Sequence, residues 1–400
     1  MSKPNINTFA PTSQVKKSVR LNSLDKGSSV IVIGAGAFGG WSALYLQRLG
    51  FNVTLIDTWG AGNSRSSSGD ETRIIRSTYG ANETYFDMNV RALQLWKENE
   101  KLFDKKLFYN TGVLWFCYEE KTPLVDDSIP FAQKHQADYI YLTRQELARQ
   151  YPLVQTDDLH HAFLDSHGGL LKARESCLAV QEAFVKEGGR YIQAHVVPGK
   201  IQFEKLSSIH LSNGLELKAD AYLFACGSWL GSLFPELKDV ITCTRQEVYY
   251  VGVPSTHSQE FENFPTWIDV DGKDFYYGIA HNGGRGFKIG VDKRGDNFNP
   301  SDGNRILNQE VLAKASEFLA HRFPLLKNAP LLENRVCPYE NSPDGNFIFD
   351  QHPEADNIII LGGGSGHGFK HGPALGELIA NVLQGNAKVP DIFALNRFSS

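Results

Sequence analysis

The stretch 30–57 constrains this chain more than any other. Val30-Ile31-Val32-Ile33 is a short β-branched apolar run and reads as a buried strand. Gly34-Ala35-Gly36-Ala37-Phe38-Gly39 follows at once. Positions 40–49 then carry apolar residues at helical spacing up to Gly50, and Phe51 to Asp57 is a second strand. In such a β-α-β unit Gly34 permits the tight turn, Gly36 lets a pyrophosphate approach the backbone, and Gly39 lets helix pack on strand. The helix N-terminus faces the phosphates with its partial positive charge. Asp57, 23 residues after Gly34, is placed to accept hydrogen bonds from a ribose. The alternative is a glycine-rich structural turn; strand, helix, strand and acid in that order favour a dinucleotide. The motif alone does not separate FAD from NAD.

The rest of the chain shows no internal repeat and no linker, but further strands and helices of the same kinds. Helices are expected over Tyr85 to Phe103, Arg144 to Gln150, Cys177 to Glu187 and Pro373 to Leu383. Strands are expected at Gly112 to Cys117, Tyr191 to Val197, Ala221 to Gly227 and Asn357 to Leu361, with Glu247 to Val253 and Phe275 to Gly278 in a second sheet. Gly362 to Gly368 is a glycine loop. Nucleotide-domain elements thus occur early, in the middle and late. The expected fold is α/β (α+β): a Rossmann-like nucleotide domain over 28–107, 168–238 and 334–400, interleaved with a substrate domain on a mixed or antiparallel sheet over 108–167 and 239–333. Residues 1–27 read as a loose polar arm without a secretory apolar core.

Of 400 residues 42% are hydrophobic and 12% aromatic, which excludes disorder. A net charge of −5 argues against nucleic acid as the main partner. No apolar run is long enough for a membrane span. The five cysteines, Cys117, Cys177, Cys226, Cys243 and Cys337, are odd in number and widely spaced, with no C-x-x-C. They form neither a disulfide framework nor a zinc ribbon and fit a reducing, cytoplasmic setting. Nothing sets the oligomeric state, and a monomer is compatible with the sequence. The pair His160-His161 reads as surface. His367 and His371, four apart in a glycine-rich loop, do not read as a metal site.

Four further segments carry a resemblance. Gly69-Asp70-Glu71-Thr72-Arg73-Ile74-Ile75-Arg76 followed by Tyr79-Gly80 resembles the G-D-T-R-I-I-R…Y-G segment of the monomeric sarcosine oxidase and N-methyltryptophan oxidase family. Gly286-Phe287-Lys288-Ile289-Gly290 resembles that family's G-L-K-L-G. The segment from Cys337-Pro338-Tyr339 to Asp350 resembles its C-x-Y…D-x-x-F-I-I-D. Ser365-Gly366-His367-Gly368-Phe369-Lys370 resembles its S-G-H-G-F-K. The likeness runs in order from about Ser29 to Phe398. It implies bound FAD and oxidation of the carbon–nitrogen bond of an amine, usually an amino acid. Hydride passes to the flavin, the imine hydrolyses, and dioxygen is reduced to hydrogen peroxide.

The resemblance also implies roles. Cys337 matches the cysteine that holds the flavin through a thioether; otherwise it is a buried thiol, as the other four cysteines are read. Lys288 matches the lysine near the flavin that assists the reaction with oxygen, where a fixed cation is favourable. Arg76 and Lys370 match the pair that holds the substrate carboxylate. Arg73 matches an arginine beside the flavin that stabilises its reduced anion. Tyr277 and Tyr339 match pocket walls, and Ile268 another apolar wall. Gly34, Gly36, Ala37, Phe38, Gly39, Asp57, Arg73, Val197, Gly227, Cys337, Gly366, His367, Gly368 and Lys370 are assigned to the cofactor.

Departures from the family bear on substrate. Asp292 stands four residues after Lys288, where sarcosine oxidase has a histidine. Strand spacing would put both on one face of the same pocket, where an acid could pair with an ammonium or accept from hydroxyls. The fructosyl-amino-acid oxidases share an acid at this offset but lack the G-D-x-T-R-I-I-R wording. Ser68 and Gly69 replace a histidine pair beside the flavin. His281 and Arg285 add polar groups near the pocket loop. The expected substrate is therefore an N-substituted or bulky amino acid rather than sarcosine. The alternatives are a flavin dehydrogenase with another acceptor, against which Lys288 argues, a fructosyl-amino-acid oxidase-like deglycating enzyme, and a non-catalytic flavoprotein.

Overall fold

The computed structural model describes residues 21–137, 139–270, 275–280 and 282–398. Its first sheet has six strands in the order Ile348–His352, Ala355–Gly362, Ala221–Phe224, Ser29–Ile33, Asn52–Asp57, Arg190–Gln193. All neighbours are parallel except the hairpin of the first two. Alternate residues of the central strands go to opposite faces, and both faces are covered. Val30, Val32 and Leu55 pack with Trp41, Leu44, Phe184, Leu375 and Ile379. Ile31, Ile33 and Ile56 pack with Phe224, Leu230, Phe234 and Ile360 on the other side. Burial on both faces is why these strands read as unbroken apolar runs.

The helices on the first face are Ala37–Arg48, Ala173–Lys186 and Gly372–Leu383. The first starts three residues earlier than its apolar spacing suggests, and the second four residues earlier than Cys177. Glycine and small residues in the first turn hide a helix start from a hydrophobic pattern.

The second sheet is mixed, with eight strands in the order Leu331–Asn341, Thr242–Val251, Phe287–Val291, Phe275–Ile279, Thr266–Val270, Val113–Cys117, His161–Asp165, Tyr139–Thr143. Only Thr266–Val270 and Val113–Cys117 run parallel to each other. One face, with Leu114, Phe116, Trp267, Tyr276 and Phe287, packs under the helix Gln309–Arg322. The opposite face presents Val113, Trp115, Ile268, Val248, Tyr250 and Cys337. A three-stranded sheet, Thr72–Ile75, Gly169–Lys172 and Phe108–Tyr109, lies between the segments of the chain that build the two larger ones.

Some expectations are corrected. Tyr191 to Val197 is not one strand. Arg190–Gln193 ends the first sheet, and after Ala194-His195 the strand Val196–Pro198 pairs instead with Ile209–Leu211. His161 is not a surface residue: it is buried, with its ring stacked 5.0 Å from that of Tyr141. Of the expected arm, residues 1–20 lie outside the described residues. Leu21 and Leu24 pack on the first core, and Leu24 N donates to Leu383 O at 2.7 Å. Among the described residues no helix is long and apolar enough to cross a membrane.

Candidate active site

A cavity of about 450 Å³ runs across the carboxyl ends of the parallel strands towards the second sheet. At one end lies the glycine loop. Gly34 has φ +106°, and a Cβ there would meet Ala225 O at 2.3 Å. A Cβ on Gly39 would fall 1.9 Å from Gly34 O. Gly36 differs: its nearest neighbour would be Ser68 Oγ at 3.5 Å, so the missing side chain leaves open cavity. Gly36 also begins the helix Ala37–Arg48 without a side-chain cap. An uncapped helix start under an open glycine fits a dinucleotide pyrophosphate. Ala37 N donates to Ser68 Oγ at 3.2 Å, so Ser68 supports the loop.

Asp57 lies on the cavity wall, but its carboxylate is already engaged. Ala35 N donates to Oδ2 and Trp59 N and Gly60 N donate to Oδ1, each at 2.8 Å. Burial raises its pKa and these N–H groups oppose the rise. Asp57 therefore braces the loop and keeps limited capacity for a ribose hydroxyl. Gly36, Ala37, Phe38, Gly227, Gly366, His367, Gly368 and Lys370 all line the cavity. Val197 does not. It is 52% exposed and points away, while Val196 lines the cavity instead. The break after Gln193 shifts which side chain faces inward. Trp59 and Trp229, with ring centroids 4.8 Å apart, line the same cavity and carry no sequence motif.

At the other end Arg76, Lys370, Tyr277, Tyr339, Ile268 and Phe275 form a chamber. The Arg76 guanidinium lies 4.7 Å from the Tyr79 ring centroid and 5.2 Å from that of Trp115, and donates to Thr78 O. Lys370 Nζ donates to His367 O at 2.8 Å. Among the described residues neither cation has a salt-bridge partner. Burial and the nearby Arg76 push the Lys370 pKa well below the ordinary lysine value. His367 and His371 both reach the Tyr79 hydroxyl, at 3.1 and 2.6 Å. Burial lowers His367 to about 3 and pushes His371 well below the ordinary histidine value, so both rings are neutral. The basic side chains of the chamber are Arg76 and Lys370.

Asp292 lines the chamber, but not by strand spacing. The strand ends at Val291, and Asp292 N donates to Phe275 O. Its carboxylate pairs with Arg294 at 2.6 Å, and Arg294 also donates to Ser365 O at 2.8 Å. Lys288 is placed apart from it. It is fully buried, off the cavity wall, and donates to Asp70 Oδ2 at 2.5 Å and Thr72 O at 2.8 Å. Asp70 also takes Arg73 and the Tyr250 hydroxyl, the latter at 2.6 Å. Burial alone would raise the Asp70 pKa; Lys288 and Arg73 outweigh it and hold it far below the usual range. Arg73 reaches the cavity and donates to Ser67 O at 2.6 Å.

Cys337 is buried beside Arg73 and packs with Val248 and Tyr250, and burial raises its thiol pKa. Cys226, read as a core residue, lines the cavity. Arg285 is not at the chamber: it pairs with Glu333 at 2.9 Å. His281 lies outside the described residues. Asp70, Arg294, Trp59, Trp229 and Glu340 were not singled out from the sequence. Asp70 and Glu340 stood inside quoted motifs; the others carry no local signal.

A glycine loop, a cavity over strand ends and a cationic chamber define a dinucleotide-dependent enzyme site. Residues 29–382 match the family described as FAD dependent oxidoreductase, and the chain belongs to it. Its cofactor is FAD, and it is an oxidoreductase. It is 29% identical over 381 residues to monomeric sarcosine oxidase of Arthrobacter sp. (strain TE1826), covering 94% of this chain and 97% of that protein. It is 27% identical over 380 residues to N-methyl-L-tryptophan oxidase of Citrobacter koseri, covering 92% and 99%. In fold it is similar to fructosyl amine:oxygen oxidoreductase (Amadoriase I) of Aspergillus fumigatus, with TM-score 0.76 and 22% identity over 93% of this chain and 90% of that one. L-proline dehydrogenase of P. horikoshii gives TM-score 0.78 and 21% identity over 92% and 96%.

Proposed function

We propose that this chain oxidises the carbon–nitrogen bond of an N-substituted or bulky amino acid, with dioxygen as the final electron acceptor. The observation that carries this reading is the pair Arg76 and Lys370. Two basic side chains with no salt-bridge partner among the described residues, set among neutral histidines and aromatic rings, form a ready site for one carboxylate. The flavin, when bound, supplies the acceptor for hydride from the substrate carbon. The chain's part is orientation. Arg76 and Lys370 fix the carboxylate, Tyr277 and Tyr339 wall the chamber, and burial keeps both phenols protonated. Asp292 contributes a carboxylate already half used by Arg294, so it suits a neutral or hydroxyl-bearing group better than a second anion.

The oxidase relatives favour oxygen as acceptor. A deglycating activity on fructosyl-amino acids is the second reading, favoured by the acid at Asp292 on the chamber wall. The test is anaerobic bleaching of the flavin by a panel of sarcosine, other N-methyl amino acids, cyclic imino acids, fructosyl-amino acids and primary amino acids, followed by air. Bleaching by an N-substituted amino acid and rapid return with peroxide is expected. Bleaching by fructosyl-amino acids alone supports the second reading. Slow return in air with fast turnover on an artificial acceptor would replace oxidase by dehydrogenase.

Covalent attachment of FAD through Cys337 is part of the proposal, supported by its place beside Arg73, which itself lines the cavity. After acid precipitation the flavin should stay with the wild-type chain and leave Cys337→Ser. Release from both would show that there is no bond.

A further inference from the structure

Glu340 is a buried acid on the cavity wall that none of the matched motifs explains. It follows Tyr339 on the strand Leu331–Asn341, so its side chain takes the opposite direction. It is 6% exposed and lines the cavity. Its Oε2 accepts a long hydrogen bond from Gly364 N at 3.5 Å, and its Oε1 has no partner among the described residues. A Cβ on Gly362 would fall 2.2 Å from Oε1, so that glycine leaves the space the oxygen occupies. Ser228, 5% exposed, lines the same cavity. Its hydroxyl sits beside the Cys243 thiol and has no nitrogen or oxygen partner among the described residues. Burial pushes Glu340 up to about 7, against the Gly363 and Gly364 N–H groups. At neutral pH it can therefore accept or donate.

Unpaired buried polar atoms are costly, and two on one cavity wall point to a ligand that pairs with them. Their place identifies the part of the ligand. The Cys226–Ser228 segment abuts the glycine loop, since a Cβ on Gly34 would meet Ala225 O and Cys226 Cα. Tyr339 and the loop from Gly364 to Lys370 belong to the chamber end. Glu340 and Ser228 thus lie between the phosphate end and the substrate end. The middle of FAD is a polyhydroxyl chain, whose hydroxyls both donate and accept.

We propose that Glu340 and Ser228 form the subsite for the polyhydroxyl chain of the flavin cofactor, with Oε1 of Glu340 and Oγ of Ser228 as its hydrogen-bonding atoms. The test uses the full chain carrying Cys337→Ser, so that flavin exchanges freely. FAD and FMN affinities and the melting temperature of the flavin-free protein are measured. Glu340→Leu is expected to weaken FAD and FMN alike by about tenfold or more, the loss of one good hydrogen bond. The flavin-free melting temperature should hold or rise, because an unpaired buried polar atom is removed. Glu340→Gln should keep affinity within about threefold, and Ser228→Ala should weaken both flavins. Wild-type affinity in Glu340→Leu would overturn the proposal. So would a fall in flavin-free melting that accounts for the lost affinity, or a loss confined to FAD, which places the contact at the pyrophosphate end. If Glu340→Leu does not fold, Ser228→Ala with unchanged affinity overturns it.

Discussion

Asp70 carries the charge balance beneath the cavity. One buried carboxylate answers Lys288 and Arg73 directly and Arg335 at 3.7 Å. Asp70→Asn removes the anion and leaves buried cations, so it should cost roughly 3–5 kcal/mol, read as a lower urea midpoint. Lys288→Met removes one cation while Asp70 keeps Arg73 and Arg335. It should fold, and stopped-flow traces should show slower reoxidation in air with little change in reduction. Equal slowing of both steps would deny Lys288 an oxygen role. Lys370 makes a pH prediction. Its folded pKa is depressed, and only the charged form holds a carboxylate. Substrate binding should therefore weaken as pH rises through that lowered value, so KM climbs with pH, and Lys370→Met should flatten the climb. Arg76→Ala should raise KM by about ten- to a hundredfold with a smaller change in kcat, since it removes one charge-assisted pair.

The glycine loop and its helix act together as one element. With Gly34 O 1.9 Å from any Cβ at Gly39, Gly39→Ala must separate the helix Ala37–Arg48 from its strand. Flavin content per chain should fall sharply, and stability should drop by about 1–3 kcal/mol as in other overpacked sites. The same helix approaches Gly372–Leu383 closely: a Cβ on Gly376 would lie 2.7 Å from the Trp41 backbone. These glycines hold the helix start at a fixed distance from the strand ends, which is what positions the phosphate site. The broken strand at Ala194-His195 shows the opposite lesson. Its alternation is equally good for either sheet, so only pairing partners decide that Val196 faces in and Val197 out.

For the whole molecule, the cavity between the two large sheets links folding to cofactor and to pH. FAD at a hundred times its Kd should stabilise the chain by about 2.7 kcal/mol, seen as a rise in Tm. In the flavin-free protein Glu340 holds its proton up to about 7, whereas the unfolded chain releases it near the ordinary glutamate value. The folded state binds more protons across that window, so stability falls as pH rises from about 4.5 to 7, and Glu340→Gln should lose that slope. Much of this was legible in sequence: the β-α-β unit, the second sheet, and the cations Arg73, Arg76 and Lys370 at the cavity. These rest on local periodicity, on glycines whose spacing has one use, and on motifs that are contiguous in the chain. What tertiary structure alone decided is which groups meet across long separations. Asp70 finds Lys288 at a separation of 218 residues, and Asp292 turns to Arg294 once its strand ends. Oε1 of Glu340 is left without a partner among the described residues. Ion pairing and desolvation depend on the distance between atoms in the folded chain, and no spacing along the sequence encodes that distance.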